Sequence, residues 1–494
     1  MTARVLTAVR EVERKYEARP GQEPPSLSGL PGVSTETPPE LFTLEAAYYD
    51  TADLRLLRNA LTLRRRTGGD DAGWHLKTPG GGDARTEIRL PLAPVSAGVP
   101  GELSSLVRSY TRSALLEPVA RISTTRTRRR LLGDEQNLLA EIVVDRVHAV
   151  ALEDDRGRDW TEIEVEQAAG GAILADAIEA RFADAGIARS SSPAKVDRVL
   201  GDRIASEPVR EPGRRLTAGE VVLCYLRTQI AALAAGDLAV RRDEPDSVHR
   251  MRVAARRARS TLQAYASVLG GRAATRALID ELGWLGGQLS AARDVEVQRD
   301  RLSTRLGEVP PRLVDSDLRE RLDRYFSDRA EQARTAALDT LDSDRYLQLL
   351  DRLDALAASG ATRRAGKAVP KVLKTVAHTV DERVRACEGA APGPDRDELV
   401  HAVRKAAKRL RYAIEVARPL APGTVTRALA RFTALQDLLG EHQDAVVAQA
   451  QLQALGGFTC GLLYQQERDI ADERAADLGR AWRAARRAAR PLWT

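Results

Sequence analysis

The chain has 494 residues, 43% hydrophobic and only 4% aromatic, rich in Ala, Leu and Arg. Its net charge of +6, from 76 Lys and Arg against 70 Asp and Glu, is modest for this length, so any basic function must come from local clustering. Three scattered cysteines without a Cys-x-x-Cys pair argue against a disulfide framework or a thiolate zinc site, and for a reducing compartment.

Residues 1–15 carry no apolar signal core, and no stretch is read as reaching the roughly 20 apolar residues that span a bilayer. The expectation is a soluble cytoplasmic protein with no membrane partner. The texture changes near residue 205. Before it, short runs of period-2 alternation lie between turn residues, at 61–66, 74–77, 85–90, 141–147 and 160–166, and read as antiparallel strands. Residues 101–116 and 171–186 read as helices, and 33–41 and 80–83 as Gly/Pro-bearing loops without a Walker-type pattern. Residues 206–215, with Pro208 and Pro212, read as a linker. Beyond it the pattern is helical, with breaks near Gly270–Gly271, Pro310–Pro311, 390–394 and 419–423. The domains are therefore 1–205 and 216–494.

In the first domain the charges sit on one face of each strand, because positions i and i+2 share a face. Glu11, Glu13 and Lys15 point one way. Arg64 and Arg66 oppose Leu61 and Leu63, His75 and Lys77 flank Leu76, and Glu87 and Arg89 alternate with Ile88 and Leu90. Arg126, Arg128 and Arg130 share a parity, as do Glu141 and Asp145, and Glu162, Glu164 and Glu166. A single half-buried strand would simply turn such charges to water. The set is nearly all Asp, Glu, Lys and Arg, sorted into acidic and basic strands. A closed barrel covered by helices would turn both groups into its lumen, carboxylates to hold Mg²⁺ or Mn²⁺ and cations to grip a polyanion.

The ordered series Glu11-x-Glu13-x-Lys15, Tyr48-Tyr49-Asp50-Thr51, Leu63-Arg64-Arg65-Arg66, Lys77, Glu87-x-Arg89, Asp145, Glu162-x-Glu164-x-Glu166 and Lys195 resembles the CYTH, or triphosphate tunnel, superfamily over roughly residues 3–200. The resemblance implies an α+β domain built on an eight-stranded antiparallel tunnel that binds triphosphates with divalent metal. It implies Glu11, Glu13 and Lys15 as catalytic residues, and Glu11, Glu13, Asp145, Glu162 and Glu164 as metal ligands. Lys15, Arg64, Arg66, Lys77, Arg89, Arg128 and Lys195 become the phosphate ligands. Parity does not choose among Arg126, Arg128 and Arg130, or among the three closing glutamates.

The helical half contains an internal repeat. His249-x-x-Arg252-x-x-x-Arg256-Arg257-x-Arg259 recurs 152 residues later as His401-x-x-Arg404-x-x-x-Lys408-Arg409-x-Arg411, and Leu285, Leu289 and Asp294 recur as Leu435, Leu439 and Asp444. On a helix, His249, Arg252, Arg256 and Arg259 fall within about 80° of one another. His401, Arg404, Lys408 and Arg411 do the same, each stripe opposite an apolar face. No Asp or Glu interrupts 247–279 or 401–414, whereas a solvated surface helix mixes signs. The stripes point to a polyanion. Two related units of about four helices each fit the spacing.

This half resembles the CHAD domain through His249-Arg250-Met251-Arg252, Ala292-Arg293-Asp294, His401-Ala402-Val403-Arg404-Lys405 and Leu439-Gly440-Glu441-His442-Gln443-Asp444. The resemblance implies two pseudo-symmetric four-helix bundles that bind inorganic polyphosphate, with His442 beside the two stripes as a contact. Ala292 stands in the first repeat where His442 stands in the second. The combined expectation is a polyphosphate-binding protein whose tunnel hydrolyses triphosphate or short polyphosphate, with association with polyphosphate granules as a further expectation. A non-catalytic tether and a CYTH-type adenylate cyclase are the alternatives. Nucleic acid is a weaker candidate partner, because no aromatic stacking platform accompanies the basic helices.

Overall fold

The computed structural model describes residues 6–93, 98–153, 155, 157–204, 216–359 and 368–493, without the side chains of 292 and 293. The chain divides into two compact units, Met1–Arg210 and Glu211–Thr494. The linker expected at 206–215 lies outside the described residues, as do the side chains of Ala292 and Arg293.

In the first unit, nine strands form one antiparallel sheet. They are β1 (Thr7–Ala18), β2 (Thr35–Glu36), β3 (Glu40–Asp50), β4 (Thr62–Thr67), β5 (Gly73–Pro79), β6 (Ala84–Leu90), β7 (Glu117–Leu132), β8 (Leu138–Ala151) and β9 (Gly157–Gln167). The order β7-β3-β4-β5-β6-β1-β9-β8 closes through β7–β8 pairing into an eight-stranded barrel, with β2 appended to β7. The run read as a loop over 33–41 thus contains β2 and the start of β3. Helices α1 (Arg55–Arg58), α2 (Gly101–Leu106), α3 (Arg108–Thr111), α4 (Gly171–Asp184) and α5 (Asp197–Leu200) decorate it.

The barrel is apolar outside and charged inside. On one flank Tyr16, Leu131, Ile142, Val144, Ile163 and Val165 pack on Leu174, Ile178 and Phe182 of α4. On another, Ala120, Ile122, Val147 and Ala149 pack against Leu54, Leu57, Val199 and Leu200. With the apolar parity spent on these outer cores, the charged parity has only the lumen left. Helix α4 stops where Gly186 takes φ +72° and Ile187 N–H reaches back 2.9 Å to the Phe182 carbonyl. The helix expected over 101–116 is two short pieces broken at Val107, and it stops at Arg112, where φ is +58°.

The second unit holds α6 (Ala218–Arg241), α7 (Ser247–Tyr265), α8 (Arg272–Gln288), α9 (Ser290–Glu308), α10 (Leu318–Asp342), α11 (Asp344–Ala358), α12 (Ala368–Glu388), α13 (Pro394–Val416), α14 (Pro422–Leu455) and α15 (Phe458–Ala489). The repeat pairs α6 with α12, α7 with α13, α8 plus α9 with α14, and α10 with α15. Helix α11 is extra. The break at Leu289 follows Gly283, Gly286 and Gly287, where α14 has Thr433, Gln436 and Asp437. Each helical glycine costs about 1 kcal/mol relative to alanine.

A capping box of Thr217 and Glu220 starts α6. This helix is long and apolar enough to cross a membrane by length and composition, which corrects the reading that no stretch is; 61% of its apolar window is buried inside the bundle. One core runs through α6, α7, α8 and α10–α15. Phe432 and Trp482 meet edge to face at 6.2 Å, and Trp482 Nε1 donates to Asp381 at 2.8 Å.

Candidate functional sites

The lumen holds a cavity of about 260 Å³ lined by carboxylates, cations and a few apolar side chains. The register explains the assembly. Glu13 and Lys15 on β1 lie opposite Glu166 and Glu164 on β9, Arg64 on β4 pairs with His75 on β5, and Arg126 on β7 pairs with Asp145 on β8. Glu11, Glu13, Lys15, Arg64, Arg66, Lys77, Arg89, Arg128 and Lys195 all line the cavity. So do Arg126 and Glu166, which parity left undecided, and Glu141.

At one end Lys195 sits among three carboxylates, 2.8 Å from Asp145, 2.7 Å from Glu162 and 2.8 Å from Glu164. Burial works to strip its proton, but these carboxylates prevail and hold its pKa well above the usual lysine range. Arg126 grips Asp145 with a fork, Nε at 2.8 Å and Nη2 at 2.7 Å, and reaches Glu164 at 3.0 Å. Lys15 bonds Glu164 and stands 3.4 Å from Glu13. Trp160 Nε1 donates to Glu162 at 2.6 Å, and Arg198 lies 3.6 Å from it. Glu162, expected as a metal ligand, is therefore outside the cavity lining, turned to Trp160, Lys195 and Arg198.

Further along, Lys77 lies 2.8 Å from Glu11 and 3.5 Å from Glu13. Arg89 bridges Glu11 at 2.6 Å and Glu87 at 2.5 Å. Glu87 is 1% exposed. Burial alone would raise its pKa, but His75, Lys77 and Arg64 hold it well below the usual carboxylate range. His75 backs this carboxylate, with Nε2 2.9 Å from the Asp71 carbonyl and Nδ1 3.1 Å from Glu87. Arg128 is held by Glu40 at 2.6 Å and Asp70 at 2.9 Å, over the Phe42 ring at 4.5 Å. Arg130 shares the face of Arg126 and Arg128 but lies beyond the lining, 2.9 Å from Glu141 and 3.5 Å from Glu40. Arg66 bonds Asp71, and burial with the nearby Arg64 and Arg126 pushes its pKa down to about 9. A guanidinium keeps its proton, so this crowding is an unmet demand for an anion.

Two carboxylate groups bring oxygens within 4.8 Å of one another, Asp145/Glu162/Glu164 and Glu13/Glu164/Glu166. The first already encloses the Lys195 ammonium. The second lines the cavity and includes Glu166, which has no ion-pair partner among the described residues. Burial, with Glu164 and Glu11 adding to it, raises the Glu166 pKa despite Lys77 and Arg126. This all-oxygen set fits a hard divalent cation. Asp50, of the Tyr48-Tyr49-Asp50-Thr51 motif, is architectural. Its carboxylate accepts from the N–H groups of Thr51, Leu56 and Leu57 at 2.7–2.9 Å and fixes the start of α1.

In the helical unit, the stripes of α7 and α13 converge. Arg252, Arg256, Arg404 and Lys408 lie close enough that the arginines disfavour the Lys408 charge. Arg252 reaches the Ser290 carbonyl at 3.2 Å and Asp294 at 3.3 Å, and Arg256 donates to Tyr412 at 3.0 Å. Among the described residues no carboxylate lies within ion-pair distance of Arg404 or Lys408. Burial, then Arg404 and Arg256, push Lys408 down to about 6, against a weaker pull from Asp444. Arg411 binds Gln436 and lies 3.5 Å from Glu415. His401 bonds Gln443 at the edge of its stripe, and His249 is half-buried on α7.

His442 does not join the stripes. It is 1% exposed, with Nε2 3.2 Å from Asp397, which also takes Arg468 at 3.3 Å. A chain-like anion has no access to it. Its partner lies 45 residues away in sequence.

Residues 9–200 match the CYTH domain family and residues 224–453 the CHAD domain family. An uncharacterized protein of Mycobacterium tuberculosis, known from strains H37Rv and CDC 1551, is 37% identical over 508 aligned positions, which span 97% of this chain and 97% of that protein. Among solved structures, PptA from Streptomyces chartreusis is 22% identical, covering 54% of this chain and 100% of its own, with a TM-score of 0.45. The CHAD domain from the plant Ricinus communis is 24% identical, covering 58% of this chain and 97% of its own, with a TM-score of 0.43.

Proposed function

Because the chain belongs to the family in which a CYTH domain precedes a CHAD domain, we propose that its helical unit captures inorganic polyphosphate. On the same reading its tunnel hydrolyses triphosphate or short polyphosphate with Mg²⁺ or Mn²⁺. The observation that carries this is the sorting of charge in the closed lumen, with carboxylates on β1 and β9 facing cations on β4, β5 and β7.

Phosphoryl transfer asks a protein for positioning and charge neutralisation more than for covalent chemistry. Arg64, Arg66 and Arg126 offer planar forks to phosphate oxygens, while Lys15 and Lys77 act as point charges. Glu13, Glu164 and Glu166 would hold the metal, which supplies Lewis acidity and a more acidic water when bound. Arg89 keeps Glu11 and Glu87 apart from that set. The surrounding wall limits bulk water, which strengthens each of these contacts.

A second reading, a tunnel that binds without turnover, is favoured by Lys195, which fills the Asp145/Glu162/Glu164 group where a cation could sit. Phosphate release from inorganic triphosphate, long polyphosphate, ATP and thiamine triphosphate, with Mg²⁺ or Mn²⁺, separates the two. Hydrolysis abolished by Glu11→Ala with Glu13→Ala, with polyphosphate capture intact, is the expected result. Arg252→Glu with Arg404→Glu should do the reverse. Capture with no release from any substrate would establish the binding-only tunnel, and equal damage to both activities by both pairs would refute the division of labour.

A further inference from the structure

The contacts between α7 and α13 come in pseudo-symmetric pairs whose members differ in charge. Arg257 meets Glu415 at 3.0 Å. The mate of that contact, shifted by the repeat, is Arg409 donating to Gln263 at 3.0 Å. Glu415 also takes the Tyr225 hydroxyl at 2.6 Å and Arg411 at 3.5 Å, so that side is neutralised. Gln263 accepts a hydrogen bond but cancels no charge.

The asymmetry extends to the neighbours. Arg411 is tied to Gln436, whereas Arg259, its mate, has no hydrogen bond or ion pair among the described residues. Its guanidinium lies against Gly283, where a Cβ would come within 2.9 Å of Cζ. A methyl group there would displace the end of the Arg259 side chain. Two adjoining hollows of about 500 and 560 Å³ share Gln263, Arg272 and Arg409, and the second is also lined by Lys371. Arg272 and Lys371 are exposed and carry no ion pair among the described residues. Among the described residues Asp280 is the sole carboxylate lining either hollow, and Arg276 holds it at 2.9 Å. On the mate side, Pro422 stands where Arg272 stands here.

We propose that this hollow is a second anion subsite, and that a polyphosphate chain leaving the Arg252/Arg256/Arg404/Lys408 cluster continues along α7 into it and not along α13. The proposal rests on the polyphosphate-capture reading above. The path is continuous: Arg252, Arg256, Arg259 and Gln263 lie on successive turns of one α7 face, about 16 Å from first to last at 1.5 Å per residue. On the α13 side, the corresponding path ends at the Glu415 carboxylate, which already occupies Arg257 and Arg411 and leaves neither cation free for phosphate. The two related halves of the helical unit thus differ at this end in where they can pass the chain on.

The test uses the full chain and long-chain polyphosphate at fixed salt, with Arg272→Glu/Lys371→Glu as the variant. Both side chains are exposed, and a glutamate at the first turn of α8 suits the helix dipole. The control is Thr426→Glu, at the exposed mate of Arg276. We expect the double variant to bind at least about tenfold more weakly, with a shallower salt dependence that reflects lost phosphate contacts, and the control to bind like the parent. Unchanged affinity in the double variant, or an equal loss in Thr426→Glu, overturns the one-sided path while leaving capture itself standing. No polyphosphate binding by the parent chain overturns the capture reading and the subsite with it. Duplex DNA binding as tightly as polyphosphate, with the same loss in the double variant, overturns polyphosphate as the ligand.

Discussion

Lys408 gives the helical unit a measurable proton linkage. It is half-buried on α13, facing Arg404 on its own helix, Arg252 and Arg256 on α7, and Asp444 on α14. Burial and the arginines set its pKa at about 6 in the free protein. A bound phosphate chain reverses the local charge and restores the ammonium, so binding takes up a proton wherever Lys408 was neutral. The sign follows from the lowered free-state pKa. Below pH 6 Lys408 is already charged and its contribution is flat; above pH 6 that contribution falls by up to tenfold per unit. From pH 6 to pH 8 the charged fraction drops from about one half to one hundredth, an affinity loss of about 50-fold or ~2.3 kcal/mol. Calorimetric titration with polyphosphate in two buffers of different ionisation heat, at constant salt, reads both the affinity and the proton uptake. Near pH 8 uptake at this residue should approach one proton. Lys408→Arg, charged at every pH used, should flatten the profile and remove that proton, leaving only the contributions of His401 and the phosphate ends. Matching slopes and proton counts in the parent and the variant would refute the reasoning.

Three further outcomes are expected. Gly68, between β4 and β5, has φ +80° and an ideal Cβ position 2.1 Å from the Thr43 carbonyl oxygen, so Gly68→Ala should cost about 1–3 kcal/mol in backbone strain before the clash is counted, visible as a lower unfolding midpoint; an unaltered midpoint would show that the turn relaxes freely. His75→Leu should loosen Glu87 and with it Arg64, Lys77 and Arg89. Loss of this close packing would weaken triphosphate binding about tenfold, with partial rescue by His75→Gln, and normal binding by His75→Leu would exclude the positioning role. Phe432→Ala should destabilise the helical unit by about 3–5 kcal/mol, measured by denaturant unfolding, while leaving metal-dependent hydrolysis in the tunnel intact if the two units act separately.

The strands were legible because a barrel covered on its outside and charged within keeps strict alternation, so β4, β5, β6, β8 and β9 fall where period 2 puts them. Alternation says which way a side chain points and nothing about depth along the strand. Glu162, Glu164 and Glu166 share one parity, yet Lys195 and Trp160 claim Glu162 while Glu166 faces the cavity. Arg126 and Arg128 both line that cavity for the same reason, and Arg130 lies past its rim. In the helical unit the repeat exposed the stripes on α7 and α13. It could not expose Glu415 and Gln263, because their importance comes from cross-helix partners 158 and 146 residues away. His442 shows the opposite failure, in which a conspicuous motif position turns out to be a buried bond to Asp397.

The inside-out barrel separates what keeps this unit folded from what it can bind. Its greasy cores lie outside the strands, under α4 and around α1 and α5, while the lumen contributes balanced charge and little apolar burial. Exchanging one lumen pair for another of equal sum leaves those outer cores untouched. Selection can therefore retune the choice of anion through the tunnel wall with small effects on stability, a freedom that an enzyme with its active site embedded in its hydrophobic core does not have.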